Sequence, residues 1–144
     1  MESIVHLAQT WMGANNIALL KPNGMFGSRH TGRKEHSAAR YIFTERHPIL
    51  RRFFPAADDV VLELNEDDGK SVEPVHFVPI VPFLLINGAD GVGFAWRCYC
   101  PAYRPLDVVE NTRRMVEGKP LLPMVPHYTG FVGATEVRGK DVVF

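Results

Sequence analysis

Ten consecutive residues, Phe77-Val78-Pro79-Ile80-Val81-Pro82-Phe83-Leu84-Leu85-Ile86, form an apolar run broken by two prolines. Each proline withholds a ladder N–H, so a regular central strand does not cross this run and an irregular buried passage is expected instead. Further on, Pro120, Pro123, Pro126 and Gly130 cut the chain into short pieces leading to an expected strand at 131–137. The expected class is mixed α/β (α+β), assembled from short elements.

One segment escapes this punctuation. Residues 105–117 open with Pro105, set Val108, Val109, Thr112, Met115 and Val116 on one broad face, and stop before Gly118, which predicts a helix. The Arg113-Arg114 pair on it reads as solvated surface. Residues 3–12 place Ile4, Leu7, Ala8 and Trp11 on one helical face, with Ser3 as expected N-cap and Gly13 with Asn15-Asn16 as its end. Ile17-Ala18-Leu19-Leu20 reads as buried. Residues 38–44 are expected to be a short strand or extended segment, 45–54 a helix ending at Phe53-Phe54 before Pro55, and 60–64 a short strand. Asn65-Glu66-Asp67-Asp68-Gly69-Lys70 carries a hairpin turn signal. Asn87-Gly88-Ala89-Asp90-Gly91-Val92-Gly93 is a glycine-rich loop ahead of Phe94-Ala95-Trp96.

With 46% apolar and 22% charged residues, the 144-residue chain has the composition of a folded domain with a sizeable core. Its formal net charge is zero, which argues mildly against a compact nucleic-acid-binding module. The distribution argues the other way. Residues 21–54 hold Lys21, Arg29, Arg33, Lys34, Arg40, Arg46, Arg51 and Arg52 against Glu35 and Glu45 alone. Asp58, Asp59, Glu63, Glu66, Asp67, Asp68 and Glu73 then reverse the sign, so a polyanion is drawn to the first region and repelled by the second. Cys98 and Cys100 would share a strand face but cannot close a disulfide across one residue, so reduced thiols are expected. With no 18-residue apolar run and no signal-like start, neither membrane insertion nor secretion is expected.

The chemistry concentrates at Arg40-Tyr41, downstream of the glycine-rich basic loop Pro22-Asn23-Gly24-Met25-Phe26-Gly27-Ser28-Arg29-His30-Thr31-Gly32-Arg33-Lys34-Glu35-His36. A tyrosine attacking a phosphodiester forms a phosphotyrosine bond and frees a sugar hydroxyl. A phenol, with a reference pKa near 10, is helped to lose its proton by nearby cations. An adjacent guanidinium such as Arg40 can also hold phosphate oxygens bidentately as charge builds. Arg29, Arg33 and Lys34 would bind neighbouring phosphates, with His30 beside them as a further DNA-contacting candidate. His30 or His36 is available to accept a proton. The competing reading makes Tyr41 an ordinary half-buried strand residue of Arg-Tyr-Ile-Phe-Thr.

Other motifs carry less. The 88–93 loop fits neither the Gly-Lys-Ser/Thr nucleotide pattern nor the dinucleotide fingerprint. The six histidines lack zinc spacing with the cysteines. Asp58-Asp59 and Glu66-Asp67-Asp68 read as magnesium ligands or, more simply, as solvated turns.

Gly13-Ala14-Asn15-Asn16-Ile17-Ala18-Leu19-Leu20, Pro22-Asn23-Gly24-Met25-Phe26-Gly27-Ser28-Arg29, Ala38-Ala39-Arg40-Tyr41-Ile42-Phe43-Thr44 and Phe53-Phe54-Pro55 are similar to the breakage–reunion region of eukaryotic-type DNA topoisomerase II, a type IIA enzyme. So are Asp67-Asp68-Gly69, Glu73-Pro74, Val78-Pro79-Ile80-Val81-Pro82, Asn87-Gly88-Ala89-Asp90-Gly91-Val92-Gly93 and Met124-Val125-Pro126, a resemblance running from about residue 4 to at least 133. The resemblance implies that Tyr41 is the nucleophile forming a transient 5′-phosphotyrosyl bond and Arg40 its transition-state partner. It implies that Arg29 and Lys34 contact the DNA backbone and that Val92 wedges between base pairs to bend the duplex.

By the same resemblance, residues 1–54 are the C-terminal part of a winged-helix domain carrying the tyrosine, and 55–144 the start of a tower domain. The chain is then a partial sequence, or a truncated relative, of an ATP-dependent homodimeric enzyme acting on double-stranded DNA, inactive in isolation. Mg2+ and ATP would bind outside this chain, whose own residues supply no metal or cofactor site. A noncatalytic DNA-binding or interaction module derived from such an enzyme is the alternative. Nuclear placement is implied, with a mitochondrion or viral factory as alternatives. Two departures stand out. Gly32-Arg33-Lys34-Glu35 replaces the usual Gly-Gly-Lys-Asp, and Gly91-Val92-Gly93-Phe94-Ala95-Trp96 replaces Gly-Ile-Gly-Thr-Gly-Trp.

Overall fold

The computed structural model describes residues 1–139 and 141–143. In chain order the elements are α1 (Glu2–Ala8), β1 (Leu20–Asn23), a 3-10 turn (Ala39–Tyr41), β2 (Phe43–Arg46), α2 (Leu50–Phe53) and a second 3-10 segment (Ala56–Val61). Then follow β3 (Leu64–Asp67), β4 (Lys70–Pro74), α3 (Phe83–Asn87), β5 (Ala89–Gly93), β6 (Trp96–Cys100), α4 (Pro105–Val116), β7 (Glu136–Arg138) and β8 (Asp141–Val143). The strands pair two by two, β1–β2, β3–β4, β5–β6 and β7–β8, each ladder antiparallel. The class is mixed α/β, as the punctuation of the sequence requires. Among the described residues no helix is long and apolar enough to cross a membrane.

Two buried clusters organise these pieces. Leu19, Phe53, Val81, Ile86 and Val108 form the larger, drawing one residue or more from β1's approach, α2, the proline-broken run, α3 and α4. Phe53 and Phe83 meet edge to face with ring centroids 5.0 Å apart. The smaller cluster joins Val5 and Ala8 of α1 to Phe26 of the basic loop and Ile42 just after Tyr41.

Polar side chains do the joining elsewhere. Asn16 Nδ2 donates to the carbonyls of Ile86, Tyr103 and His127 at 2.8, 3.1 and 2.8 Å, while its Oδ1 accepts from the Thr129 amide at 2.8 Å. Asn87 and Ile17 exchange a reciprocal pair at 2.9 and 2.8 Å. Asn111 closes the same kind of pair on Leu122, tying the segment after α4 back onto it. Partly or fully buried carboxamides of this kind satisfy backbone groups that irregular chain cannot pair with itself.

The helix at 105–117 and the hairpin at 65–70 stand as expected, the latter with positive φ at both Asp68 and Gly69. Other expectations are corrected. The first helix stops at Ala8, short of Trp11, and Ser3 does not cap it. Its C-cap, Gln9, turns extended so that its buried side chain can donate to Phe26 O and Arg33 O, both at 3.0 Å. Residues 38–44 are not one strand. The Tyr41 amide closes a 3-10 turn on Ala38 O at 2.8 Å, and pairing with β1 begins only at Phe43.

That pairing also claims the start of the expected 45–54 helix, leaving one helical turn after Pro48. Residues 60–64 are 3-10 through Val61, and the strand begins at Leu64. The passage at 77–82 is irregular but largely exposed, with Val81 alone in it buried, and Phe83–Asn87 is a helical turn. The second glycine-rich loop is a strand, β5. In the expected strand at 131–137, only Glu136 onward pairs, and it pairs with β8. Arg114 is also not simply solvated: its Nε donates to Pro120 O at 2.7 Å.

Candidate nucleic-acid interface

The loop from Met25 to Ser37 is closed by the Ser37 amide donating to Met25 O at 3.0 Å. Phe26 anchors its beginning in the smaller core, and Ile42 enters the same core immediately beyond Tyr41. These two apolar anchors therefore set the cationic loop beside the tyrosine turn. At the loop's end, Ser28 and Thr31 form a hydroxyl-laced turn: Gly32 N to Ser28 O is 2.8 Å, and Ser28 Oγ to Thr31 Oγ1 is 2.9 Å. Arg29 and His30 lie within that turn, both exposed.

Tyr41 is 66% exposed, so the half-buried strand reading fails for it. The Arg40 guanidinium carbon lies 4.9 Å from the centre of the Tyr41 ring, a cation–π arrangement that keeps the cation beside the phenol. Among the described residues no ion pair engages Arg29, Lys34 or Arg40, and of the cations in 21–54 only Arg51 is so engaged, with Asp59 at 3.0 Å. The local positive charge is thus uncompensated and free to meet phosphates. His36 Nδ1 lies 2.8 Å from Ser37 O, so a proton on Nδ1 leaves Nε2 as an acceptor.

Arg33 behaves differently from its neighbours. Though the residue is exposed, its Nη2 donates to Ala14 O at 2.5 Å and Gly13 O at 3.3 Å. It lines a cleft of about 330 Å³ together with Asn87, Asp90, Tyr99, Cys100 and Tyr128.

Val92 stands on another element, the β5–β6 hairpin, and is 78% exposed. The register pairs Val92 with Arg97 and Asp90 with Tyr99, which puts all four on one face. The turn at its end is made by Phe94 and Ala95, both with positive φ (49° and 66°), and the Phe94 ring is fully exposed. Tyr99 and Tyr128 share a hydroxyl–hydroxyl bond at 2.7 Å near the hairpin root. Partial burial, followed by that bond, pushes the Tyr128 phenol up to about 12. Cys98 and Cys100 are free thiols on the opposite face of β6.

Sequence reasoning missed the hairpin, because neither Phe94 nor Ala95 has the usual chemistry of a tight turn. It also missed Gln9, Asn16 and Asn87, whose partners lie 17 to 113 residues away and leave no local signal. Among the described residues no three His, Cys, Asp or Glu side chains converge as a group that could hold a metal ion.

Comparison with known proteins identifies the family. The profile for the DNA gyrase/topoisomerase IV A-subunit family matches residues 1–143. DNA topoisomerase 2 of Pisum sativum is 46% identical over 139 residues, covering 96% of this chain and 10% of that protein. DNA topoisomerase 2 of Penicillium chrysogenum is 49% identical over 140 residues, covering 97% and 9%. This chain thus spans about a tenth of the length of these curated relatives. The crystal structure of the Plasmodium falciparum topoisomerase II DNA-binding, cleavage and re-ligation domain superposes with a TM-score of 0.85 at 41% identity, over 96% of this chain and 19% of that one. The chain belongs to the DNA gyrase/topoisomerase IV A-subunit family and matches the DNA-binding, cleavage and re-ligation region of its eukaryotic type IIA members.

Proposed function

We propose that this chain carries the nucleophile of a type IIA DNA topoisomerase and acts as part of a longer enzyme. The observation that carries the reading is the exposed Tyr41 on its 3-10 turn, with the Arg40 guanidinium over its ring and unpaired cations in the loop before it. In this reading Tyr41 Oη attacks a backbone phosphorus. A phosphorus–O(Tyr) bond forms, the bond to the 3′ oxygen breaks, and the phenol proton leaves to a base or water while the departing 3′ oxygen gains one. Arg40 steadies the charge that grows on the phosphoryl oxygens. Religation runs the same step backward. Arg29, His30 and Lys34 hold the flanking strand.

Val92, Phe94 and Trp96 are exposed at the free end of the hairpin, where an apolar side chain can enter a base step and bend the duplex. Residues 1–54 are read as the end of a winged-helix domain and 55–144 as the start of a tower domain. Double-stranded DNA is the substrate, a homodimer makes the paired cuts, and the nucleus is the expected compartment. Mg2+ is assigned to acidic residues, and ATP to a separate portion, both outside this chain, and no step is routed through either.

The test supplies the metal-binding portion of a topoisomerase in trans and looks for a covalent complex with a labelled duplex. The native chain should give an adduct stable to denaturant and Tyr41→Phe none. The 144 residues alone should not relax supercoiled DNA. Duplex binding without any adduct would instead identify a noncatalytic DNA-binding module.

A further inference from the structure

A continuous set of hydrogen bonds runs from the basic loop to the root of the β5–β6 hairpin. It starts at the Arg33 guanidinium, which holds Ala14 O and Gly13 O. The next residue, Asn15, donates to His6 O at 2.6 Å and Gln9 O at 2.8 Å, fixing this stretch against α1. Gln9 returns to the loop through Arg33 O. Asn16 then gathers Ile86, Tyr103 and His127, and Ile17 exchanges its pair with Asn87, the last residue of α3 before the hairpin begins. Arg33 also shares its cleft with Ala89, Asp90, Tyr99 and Cys100 of the hairpin strands, and its charge helps to lower the Asp90 carboxyl.

We infer that Arg33 is a positioning residue: it clamps the phosphate-facing loop to the segment 13–17 and thereby fixes that loop relative to the hairpin carrying Val92. This rests on the reading of loop and hairpin as two contacts on one duplex. Both bonds come from Nη2, so the clamp needs neither Nε nor Nη1, and Arg33 acts through the main chain that Nη2 holds.

The experiment measures amide hydrogen exchange without DNA for the native chain, Arg33→Ala and Arg33→Lys. The Ile17 and Thr129 amides, bonded to the side chains of Asn87 and Asn16, report on the network, with the hairpin amides beside them and those of α4 as control. Losing a charged donor should speed exchange at Ile17, Thr129 and the hairpin roughly tenfold. The α4 amides should stay unchanged, and Arg33→Lys, which keeps a charged donor on a differently shaped head, should recover part of the protection. Unchanged exchange at those reporters would overturn the inference, and so would acceleration extending equally to α4.

A second arm follows duplex binding against salt. A positioning role leaves the slope of log K on log salt as in the native chain, whereas a phosphate contact lowers it by about 0.9. A native chain that binds no duplex would defeat the DNA reading of the loop, while the exchange data would still decide whether Arg33 is a clamp.

Discussion

Asp90 and Arg97 meet diagonally across β5–β6 in a doubly bonded pair, Nε to Oδ1 at 2.9 Å and Nη2 to Oδ2 at 2.6 Å, on the face that also carries Val92. The bond from Arg97 holds the Asp90 carboxyl below its ordinary value and raises Arg97 in turn. A carboxyl whose folded pKa is depressed contributes stability above its unfolded value, near 4, and loses it as pH falls through the folded value. Hairpin protection should therefore hold from pH 7 to about 4 and decline below it. Asp90→Asn should remove that acid step. Exchange or amide shifts of β5–β6 across the range check this, and an identical acid profile in the variant would refute it.

The hairpin also contains two left-handed residues that are not glycine, Phe94 and Ala95. A Cβ in this conformation costs about 1 kcal/mol or more. Ala95→Gly should accordingly stabilise the hairpin by about 1 kcal/mol, seen as slower exchange at β5 and β6 with α4 unaffected.

Those two residues also show where the sequence was legible and where it was not. Asp68-Gly69 declares its own turn through local chemistry, so the β3–β4 hairpin could be read directly. Phe94-Ala95 makes the same kind of turn without that chemistry, and the flanking glycines of β5 made a strand look like a loop. The α4 helix was legible because Pro105, its apolar face and Gly118 all agree on its bounds. Segments 38–44 and 45–54 were not, because what decides them is distant: Ile42 must reach Phe26 and Val5, and residues 43–46 pair with β1. At the site, Tyr41, Arg40, Arg29 and Lys34 could be nominated from charge and spacing, but that Arg33 bonds the main chain depends on carbonyls 19 and 20 residues away.

Gly24 links the loop to the tyrosine turn by close approach. A Cβ there would lie 2.8 Å from Ile42 Cγ2, and φ is +118°, so both contact and backbone oppose any side chain. Gly24→Ala should destabilise the chain by about 1–3 kcal/mol in urea unfolding, through strain and overpacking combined. Because Ile42 adjoins Tyr41, adduct formation should fall as well, even under conditions where the variant is fully folded. A variant of native stability would show that Ile42 moves aside at no cost.

Arg40→Lys separates charge from shape at the reacting centre. Lysine keeps the positive charge, so long-range attraction for the duplex is retained and affinity at fixed salt should change little. It loses the planar fork that can grip two phosphoryl oxygens and the flat face that lies against the Tyr41 ring. If Arg40 acts on charge developing during phosphoryl transfer, its loss should appear in the rate of adduct formation and not in binding. Removing one such preorganised donor costs about 10²–10³-fold in rate, and Arg40→Lys in the complemented cleavage reaction should fall in that range with duplex affinity within a few-fold of native. Equal losses in affinity and rate would instead make Arg40 a ground-state phosphate contact, no different in kind from Arg29 or Lys34.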